Sequence, residues 1–269
     1  MNRTRLILLL AACAACLCAV SAAPENAPAD EAALRALVRA YPAHLCGDGG
    51  PNTVRWRDGT AMVFDDGVQK GNHEELLNRA SLKDQMSMPY PAGWPPNPPE
   101  PNCDPGRARN TAFFLKMYGG TAEAVEANLA DVEWLDGARL RFTRVNDADA
   151  ALRRVRDEIA RLPEEARRLV SRPAGTFVWR SIAGTSRPSM HSFGAAADFE
   201  LPKGLHRYWK WDTAPGAVPV YPDAVSGSDP LGLIVRAFER HGFIWGGKWF
   251  HYDTMHFEYR PELLPPETP

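Results

Sequence analysis

Apolar side chains recur every three or four residues over residues 31–41 and 147–162, a spacing that predicts amphipathic helices. Residues 111–118 and 121–129 are also predicted to be helical. A last helix is predicted over residues 230–241, with Asp229 as N-cap, Pro230 at the first helical position and Gly242 as C-cap. Because polar residues fill the other faces, we expect surface helices that cover a core.

Alternation of apolar and polar residues predicts strands over residues 54–56, 61–64, 175–180, 195–201 and 255–260. Asp58-Gly59 lies between the first two strands and favours a two-residue type I′ turn, in which both central residues need a positive φ. Together with the helices, these strands predict an α+β fold. We expect a small, mostly antiparallel sheet flanked by helices.

A proline-rich segment interrupts this pattern, with eight prolines from Pro89 to Pro105. Proline fixes φ and removes a backbone donor, so the segment is predicted to be an extended surface loop. A spacer held by Cys103 is favoured over a wall of a substrate groove. We expect an N-terminal elaboration, residues 23–145, and a C-terminal core, residues 146–269.

The first residues predict export. Two arginines precede an apolar run over residues 6–20, and small residues follow, as in a cleaved signal peptide over residues 1–22. Residues 10–13 also resemble a lipoprotein processing box, which would leave Cys13 lipidated. Few apolar residues separate the arginines from Cys13, so plain cleavage is favoured. We expect a protein of the periplasm or cell envelope without a stable membrane span.

Composition, net charge and cysteine content limit the kinds of protein that this sequence can encode. Hydrophobic residues make up 45% of the chain, enough for one sizeable core, and we expect a monomer. The formal net charge of -2 and the lack of a basic run argue against nucleic-acid binding. After signal removal Cys46 and Cys103 remain, and an even pair in an oxidising compartment predicts a disulfide.

Two short motifs carry the candidate chemistry: Ser-Met-His-Ser-Phe-Gly-Ala-Ala-Ala-Asp at residues 189–198 and Asp-Thr-Met-His at residues 253–256. Catalytic zinc is normally held by three nitrogen or oxygen side chains, and the fourth position is left for water, whose pKa falls to about 7. His191, Asp198 and His256 would supply such a set. We therefore expect one zinc ion per chain.

The alternation of side chains along the predicted strands supports these three residues as metal ligands. Asp198 lies on the polar face of its predicted strand, where neighbouring alanines leave room for a metal and a substrate. His256 lies on the polar face of the last predicted strand. Asp253 precedes His256 by three residues, so a single tight turn would bring its carboxylate alongside.

The other histidines are interpreted as structural; they are His44, His73, His206 and His241. His73 begins a His-Glu-Glu-Leu-Leu segment that could be mistaken for a zincin helix. Leu77 occupies the place of the second histidine that a zincin needs, so this interpretation is rejected.

The order Ser-x-His-x-x-Gly-x-Ala-x-Asp, followed downstream by an acidic residue three before a histidine, resembles the LAS zinc peptidases. This family includes D-alanyl-D-alanine carboxypeptidases, vancomycin-resistance D,D-dipeptidases and L-alanyl-D-glutamate endopeptidases. The resemblance covers roughly residues 177–260. Upstream segments 56–60, 104–107 and 113–119 are also similar to exported bacterial members of this group.

The resemblance implies zinc binding by His191, Asp198 and His256, with Asp253 as the general base. Carboxypeptidase and dipeptidase members usually have Glu as the base, whereas the endopeptidase branch uses Asp. The aspartate at position 253 therefore favours an endopeptidase without deciding it.

Arg180 matches the family arginine that stabilises charge on the tetrahedral intermediate, and Ser189 matches a serine near the substrate. Arg187 is an alternative to Arg180 as the charge stabiliser. His251 shares a face with Asp253 in an extended chain, where it would hydrogen-bond to the intermediate or replace a metal ligand. It is interpreted as a residue that supports the ligands. Trp249 is a candidate for the substrate groove, although core packing is the more frequent role of such residues.

These features predict an exported zinc metallopeptidase that hydrolyses peptide bonds in peptidoglycan stem peptides, of the L-Ala-D-Glu endopeptidase or D-Ala-D-Ala carboxypeptidase type. The alternative is a catalytically weak or inactive zinc module that binds cell-wall peptides or a partner protein. A serine-type D,D-peptidase would need Ser-x-x-Lys and Lys-Thr-Gly motifs, which do not occur in the sequence.

Overall fold

The structure, a computed structural model, describes residues 27–265 except residues 48, 92 and 95. The predicted signal peptide, residues 1–22, and the alternative lipidation site at Cys13 lie outside this part of the chain. Within it, no helix combines the length and the apolar character that crossing a membrane requires.

Helices and short antiparallel sheets alternate along the chain. The α-helices are α1 (Ala27–Ala40), α2 (His73–Asn78), α3 (Leu82–Gln85), α4 (Thr111–Tyr118), α5 (Ala122–Glu126), α6 (Ala148–Ile159), α7 (Glu164–Leu169), α8 (Trp209–Asp212), α9 (Asp223–Ser226) and α10 (Asp229–Arg240). The strands are β1 (Leu45–Cys46), β2 (Thr53–Trp56), β3 (Ala61–Val63), β4 (Leu129–Glu133), β5 (Arg139–Thr143), β6 (Pro173–Gly175), β7 (Ala196–Phe199), β8 (Phe243–Trp245) and β9 (His256–Tyr259). The predicted α+β class is confirmed.

The four-stranded sheet positions the two motifs. Its strand order is β6-β7-β9-β8, and all of its neighbours are antiparallel. Asp198 on β7 lies directly opposite His256 on β9. Because side chains alternate between the faces of a strand, a slip of one residue would turn one of these two side chains away from the other.

Two hydrophobic clusters hold this sheet in place. The larger packs the β4–β5 hairpin, α6 and α10 against Ala197, Phe199 and Phe257. The second packs α4 and the first sheet against Met190, Phe193 and the neighbouring alanines of the motif. Each cluster combines residues from before and after position 145, where the sequence places a domain division.

Helix α10 shows how local sequence and packing combine. Ser228 is its N-cap, one residue before the predicted Asp229, and accepts a hydrogen bond from the backbone of Leu231. Its apolar stripe, which includes Ile234 and Phe238, is buried against the sheet. Burial of each such side chain contributes about 1.5–3 kcal/mol relative to exposure.

The predicted strand over residues 175–180 is wrong. Strand β6 ends at Gly175, and the following residues pair with the histidine motif instead of a sheet neighbour. The backbone N–H of Val178 donates to the carbonyl of His191, and that of Arg180 donates to Ser192 Oγ. Trp179 is 40% exposed and does not lie on a buried face. The segment is therefore extended because it binds the motif turn.

The hairpin turn also differs from the prediction. Gly59 has a φ of 89°, but Asp58 does not have a positive φ. The N–H of Trp56 donates to the carbonyl of Thr60, and Asp58 Oδ1 accepts a hydrogen bond from the N–H of Thr60. The turn thus uses three residues with glycine in the left-handed position, because Asp58 is held by its own side chain.

The predicted disulfide is absent from the described residues, where Cys46 and Cys103 are both free. Cys46 pairs with Arg55 in the first sheet. The carbonyl of Cys103 instead accepts a hydrogen bond from the N–H of Phe250, near the C-terminus. The two cysteines are held by different parts of the fold, and burial raises the pKa of the Cys103 thiol.

Candidate metal centre

Three side chains from the two motifs meet in one cluster. His191 Nε2 lies 3.1 Å from Asp198 Oδ2, and His256 Nδ1 lies 3.0 Å from Asp198 Oδ1. One ligand atom from each of the three residues lies within 4.8 Å of the other two. The structure thus brings together the three residues that the sequence selects as metal ligands.

His191 is held by a short 3₁₀ turn, Met190–Phe193. Ser189 caps this turn by accepting a hydrogen bond from the N–H of His191. His191 Nδ1 lies 2.6 Å from the carbonyl oxygen of Thr176, which directs Nε2 toward Asp198. Gly194 ends the turn with a φ of 61°, and an added Cβ would lie 2.4 Å from a methyl carbon of Leu129. Both the conformation and the space at this position therefore favour glycine.

His256 is supported by a buried chain of charges. Its Nε2 lies 3.0 Å from Glu258 Oε2, and the other oxygen of Glu258 accepts a hydrogen bond from Arg260. Arg260 also donates to Glu262, and all of these side chains are buried. Burial alone would lower the pKa of His256, but contacts with Asp198 and Glu258 raise it to about 10. Without a metal, these contacts favour the protonated form of His256.

The donor chemistry fits zinc. Each imidazole has one ring nitrogen held by a protein oxygen and the other directed at Asp198, a supporting arrangement typical of metal-binding histidines. Burial tends to raise the pKa of Asp198, but contacts with both histidines hold it well below its usual range. Two imidazoles and an ionised carboxylate are ligands that zinc prefers.

Asp253 lies beside this cluster and lines the same pocket. Its backbone N–H donates to the carbonyl of Gly246, and its carbonyl accepts from the N–H of His256. Oδ1 is buried and lacks a hydrogen-bond partner among the described residues. Burial raises the pKa of this carboxyl. A carboxylate with a raised pKa and an unpaired oxygen is suited to accept a proton.

Basic side chains dominate the rest of the pocket lining; they are Arg107, Arg109, Arg180, Arg187 and Lys210. Arg180 is exposed, and its carbonyl accepts hydrogen bonds from the motif residues Ser189 and Ser192. Arg187 is more enclosed and donates to the carbonyl of Arg107. The pocket therefore favours substrates that carry negative charge.

The predicted substrate-binding residues lie in different places. Ser189 and Trp249 line the pocket, and the Trp249 ring lies under the guanidinium of Arg107, 4.6 Å from ring centroid to Cζ. His251 is not among the lining residues. Its ring is held by Asp104, with Nδ1 2.6 Å from Oδ2.

The sequence alone did not identify Glu258, Arg107, Arg109 or Tyr208 as residues of the site. Glu258 shares the polar face of the last strand with His256, so strand parity is a signal that could have found it. Arg107 and Arg109 follow the proline-rich segment and reach the pocket only through tertiary packing. The residues that directly follow the proline-rich segment therefore contribute to the pocket wall.

Replacing Gly246 with alanine is expected to destabilise the protein by about 1–3 kcal/mol and to reduce the peptidase activity that the sequence predicts. An added Cβ would lie 2.6 Å from the carbonyl oxygen of Asp253 and 2.9 Å from the Trp249 ring, so the loop must shift. Denaturant unfolding and a turnover assay would measure both effects. Gly204→Ala is the matched control, because nothing lies within 4 Å of its added Cβ. Equal stability of the two variants would contradict this account.

Zinc binding at neutral pH is expected to release about one proton per site, because His256 must lose its proton to become a ligand. With a pKa of about 10 in the metal-free protein, the apparent affinity should rise with pH up to that value. Below this pKa, the apparent zinc affinity should rise by about tenfold per pH unit. Titration calorimetry in buffers of different ionisation enthalpy would count the protons. Binding without proton release would contradict the arrangement around His256.

Comparison with known proteins gives one finding about this part of the chain. A family model described as D-alanyl-D-alanine carboxypeptidase matches residues 183–259. The matched segment contains both motifs, and the match supports a cell-wall metallopeptidase of this kind. A search of the curated proteins finds no match to the chain.

Proposed function

We propose that the chain, whose residues 183–259 match a family model described as D-alanyl-D-alanine carboxypeptidase, is a LAS zinc peptidase that hydrolyses peptide bonds in peptidoglycan stem peptides. His191, Asp198 and His256 would hold the zinc ion, and Asp253 would be the general base. The observation that carries this proposal is the close approach of the three ligand residues, with atoms from each within 4.8 Å, beside a buried carboxylate.

Zinc bound by these ligands would supply a Lewis acid and an acidified water. Asp253 would accept a proton from the attacking water and return it to the leaving amine. Its buried, unpaired Oδ1 is available for this transfer. Arg180 would stabilise the negative charge that develops on the scissile carbonyl oxygen, since its side chain lines the pocket and its backbone is held by the motif serines.

The charge of the pocket supports this substrate class. Stem peptides of peptidoglycan carry free carboxylates, and the basic side chains around the candidate metal centre complement them. The aspartate at position 253 favours the endopeptidase branch over the carboxypeptidase branch. We infer cleavage within the stem peptide, with L-Ala-D-Glu as the first bond to test and terminal D-Ala-D-Ala as the second.

The proposal includes export and a monomeric state. Support for export comes from the arginines, apolar run and small residues of residues 1–22. Cell fractionation with N-terminal sequencing would test export, and a cytoplasmic product that retains these residues would contradict it. Light scattering of the purified protein would test the monomer.

The decisive experiment is incubation of the purified protein with defined stem peptides, with and without a chelator, followed by mass spectrometry. New amino termini between L-Ala and D-Glu would identify an endopeptidase, and released D-alanine would identify a carboxypeptidase. Whichever activity is found should stop when the chelator is added and return when zinc is restored. Binding without any product would support the non-catalytic module and overturn the proposed hydrolysis.

Replacing Arg180 with alanine is expected to reduce kcat by roughly 100- to 1,000-fold, the usual effect of removing one stabiliser of transition-state charge. Arg187→Ala is the matched comparison, since both arginines line the pocket. The larger loss in kcat identifies the charge stabiliser, whereas a rise in KM alone indicates substrate binding. A loss in kcat confined to Arg187→Ala would transfer the role to Arg187.

A further inference from the structure

A second cluster of histidines and an aspartate lies outside the catalytic pocket. His73 begins α2, Asp104 lies at the end of the proline-rich segment, and His251 precedes Asp253 by two residues. His73 Nε2 lies 3.2 Å from Asp104 Oδ2, and His251 Nδ1 lies 2.6 Å from the same oxygen. One ligand atom from each of the three residues lies within 4.8 Å of the others. Two imidazoles from distant parts of the chain thus converge on one carboxylate oxygen.

This cluster is built into the protein. The Asp104 side chain is fully buried, and the two histidine side chains are 17–18% exposed. Asp104 Oδ1 accepts a hydrogen bond from the backbone N–H of His251, which directs Oδ2 toward both rings. Trp209 packs edge-on against the His251 ring, with centroids 4.6 Å apart. These contacts limit the movement of the donor atoms.

One donor atom is left unsatisfied. His73 Nε2 is buried and has no hydrogen-bond partner among the described residues, although it lies 3.2 Å from Asp104 Oδ2. A structural histidine would normally use such a buried nitrogen in a hydrogen bond. A nitrogen directed at a carboxylate that already binds a second imidazole is instead suited to a shared cation.

We propose that His73, Asp104 and His251 form a second metal site, for a divalent ion of the zinc class. Two imidazole nitrogens and one carboxylate oxygen are the same donor types as at the candidate catalytic centre. The fourth position would be taken by water. Histidine ligands favour zinc over calcium or magnesium, which prefer oxygen ligands.

The position of this site defines its role. The metal would join α2 and the end of the proline-rich segment to the loop that leads to Asp253. Arg107 Nη2 already donates to the carbonyl of His251, which lies 2.9 Å away, and the Arg107 side chain also lines the pocket. The second ion would therefore hold the N-terminal elaboration against the pocket wall.

Metal content tests the proposal. Protein loaded with excess zinc and then dialysed against zinc-free buffer should contain about two zinc ions per chain by elemental analysis, as expected for two separate three-ligand sites. His73→Ala and His191→Ala should each lose about one ion, and the double variant should lose both. His206→Ala is the matched control, because its ring stacks on Trp211 and belongs to neither cluster. Circular dichroism would verify that each variant is folded.

A single zinc ion in the folded wild-type protein, or an unchanged zinc content in His73→Ala, would overturn the second site. His73→Gln, which keeps a polar side chain of similar size, serves if the alanine variant does not fold. The two proposals can fail separately. Loss of one ion in His73→Ala supports the second site even if no peptide is cleaved, and cleavage by a protein with one ion leaves only the catalytic centre.

Discussion

Replacing Asp253 with asparagine is expected to leave the zinc content at the wild-type level and to reduce peptide hydrolysis by roughly 100- to 10,000-fold, the range usual for general acid–base catalysis. Asparagine has nearly the same shape as aspartate, so the backbone hydrogen bonds from residue 253 to Gly246 and His256 can remain. Its amide cannot accept a proton from water. The buried Oδ1 that has no hydrogen-bond partner is the atom whose chemistry is lost.

Elemental analysis beside a turnover assay would measure this separation of binding from catalysis. Asp131→Asn is the control, since this exposed aspartate on β4 does not line the pocket. Undiminished hydrolysis by Asp253→Asn would remove Asp253 from the mechanism. Reduced zinc content would instead show that its carboxylate contributes to metal binding.

The pH profile gives a second readout of the same role. Asp253 must be ionised to accept a proton, and burial raises its pKa above the ordinary value for aspartate. Activity should therefore fall as the pH decreases through this raised pKa, at a higher pH than an exposed aspartate would allow. Zinc content should be measured at each pH, because protonation of the ligands also releases the metal.

Replacing His191 with alanine is expected to remove the zinc ion of the catalytic centre and to abolish hydrolysis. Two of the three donors remain, and the position of Nε2 beside Asp198 becomes empty space. Metal affinity should fall by more than about 100-fold, since loss of a ligand costs more than loss of a residue that only supports one. Elemental analysis and the stem-peptide assay measure the two effects.

His44→Ala is the control for this variant, because His44 belongs to neither His–Asp cluster. Hydrolysis by His191→Ala at the wild-type rate would reject the ligand set. The contrast with Asp253→Asn is the useful comparison: the histidine variant should lose both the metal and activity, and the aspartate variant only activity. A protein that merely binds cell-wall peptides would show no turnover in the wild type or in either variant.

The motif residues could be found from the sequence because their spacing reflects local backbone geometry. Gly194 permits the turn after His191, and the period of two places Asp198 and His256 on the polar faces of their strands. The long helices were predictable for a similar reason. In α6 and α10, apolar residues at helical spacing are buried.

Errors arose where a tertiary contact replaced a local preference. Residues 176–180 alternate in the manner of a strand, but their backbone groups bind the motif turn. Asp58-Gly59 favours a two-residue turn, but the Asp58 side chain binds Thr60 and supports a longer one. An even pair of cysteines predicts a disulfide, but Cys103 is held beside Phe250.

The sequence by itself indicated the family resemblance, the α+β class and the three candidate ligands with Asp253, because these depend on residue types at short, regular separations. Only the tertiary structure decided what surrounds them. Arg107 reaches the pocket, and His73 meets Asp104 and His251, across separations of more than 30 residues along the chain. Such contacts depend on how the N-terminal elaboration packs against the sheet, and no local pattern encodes that packing.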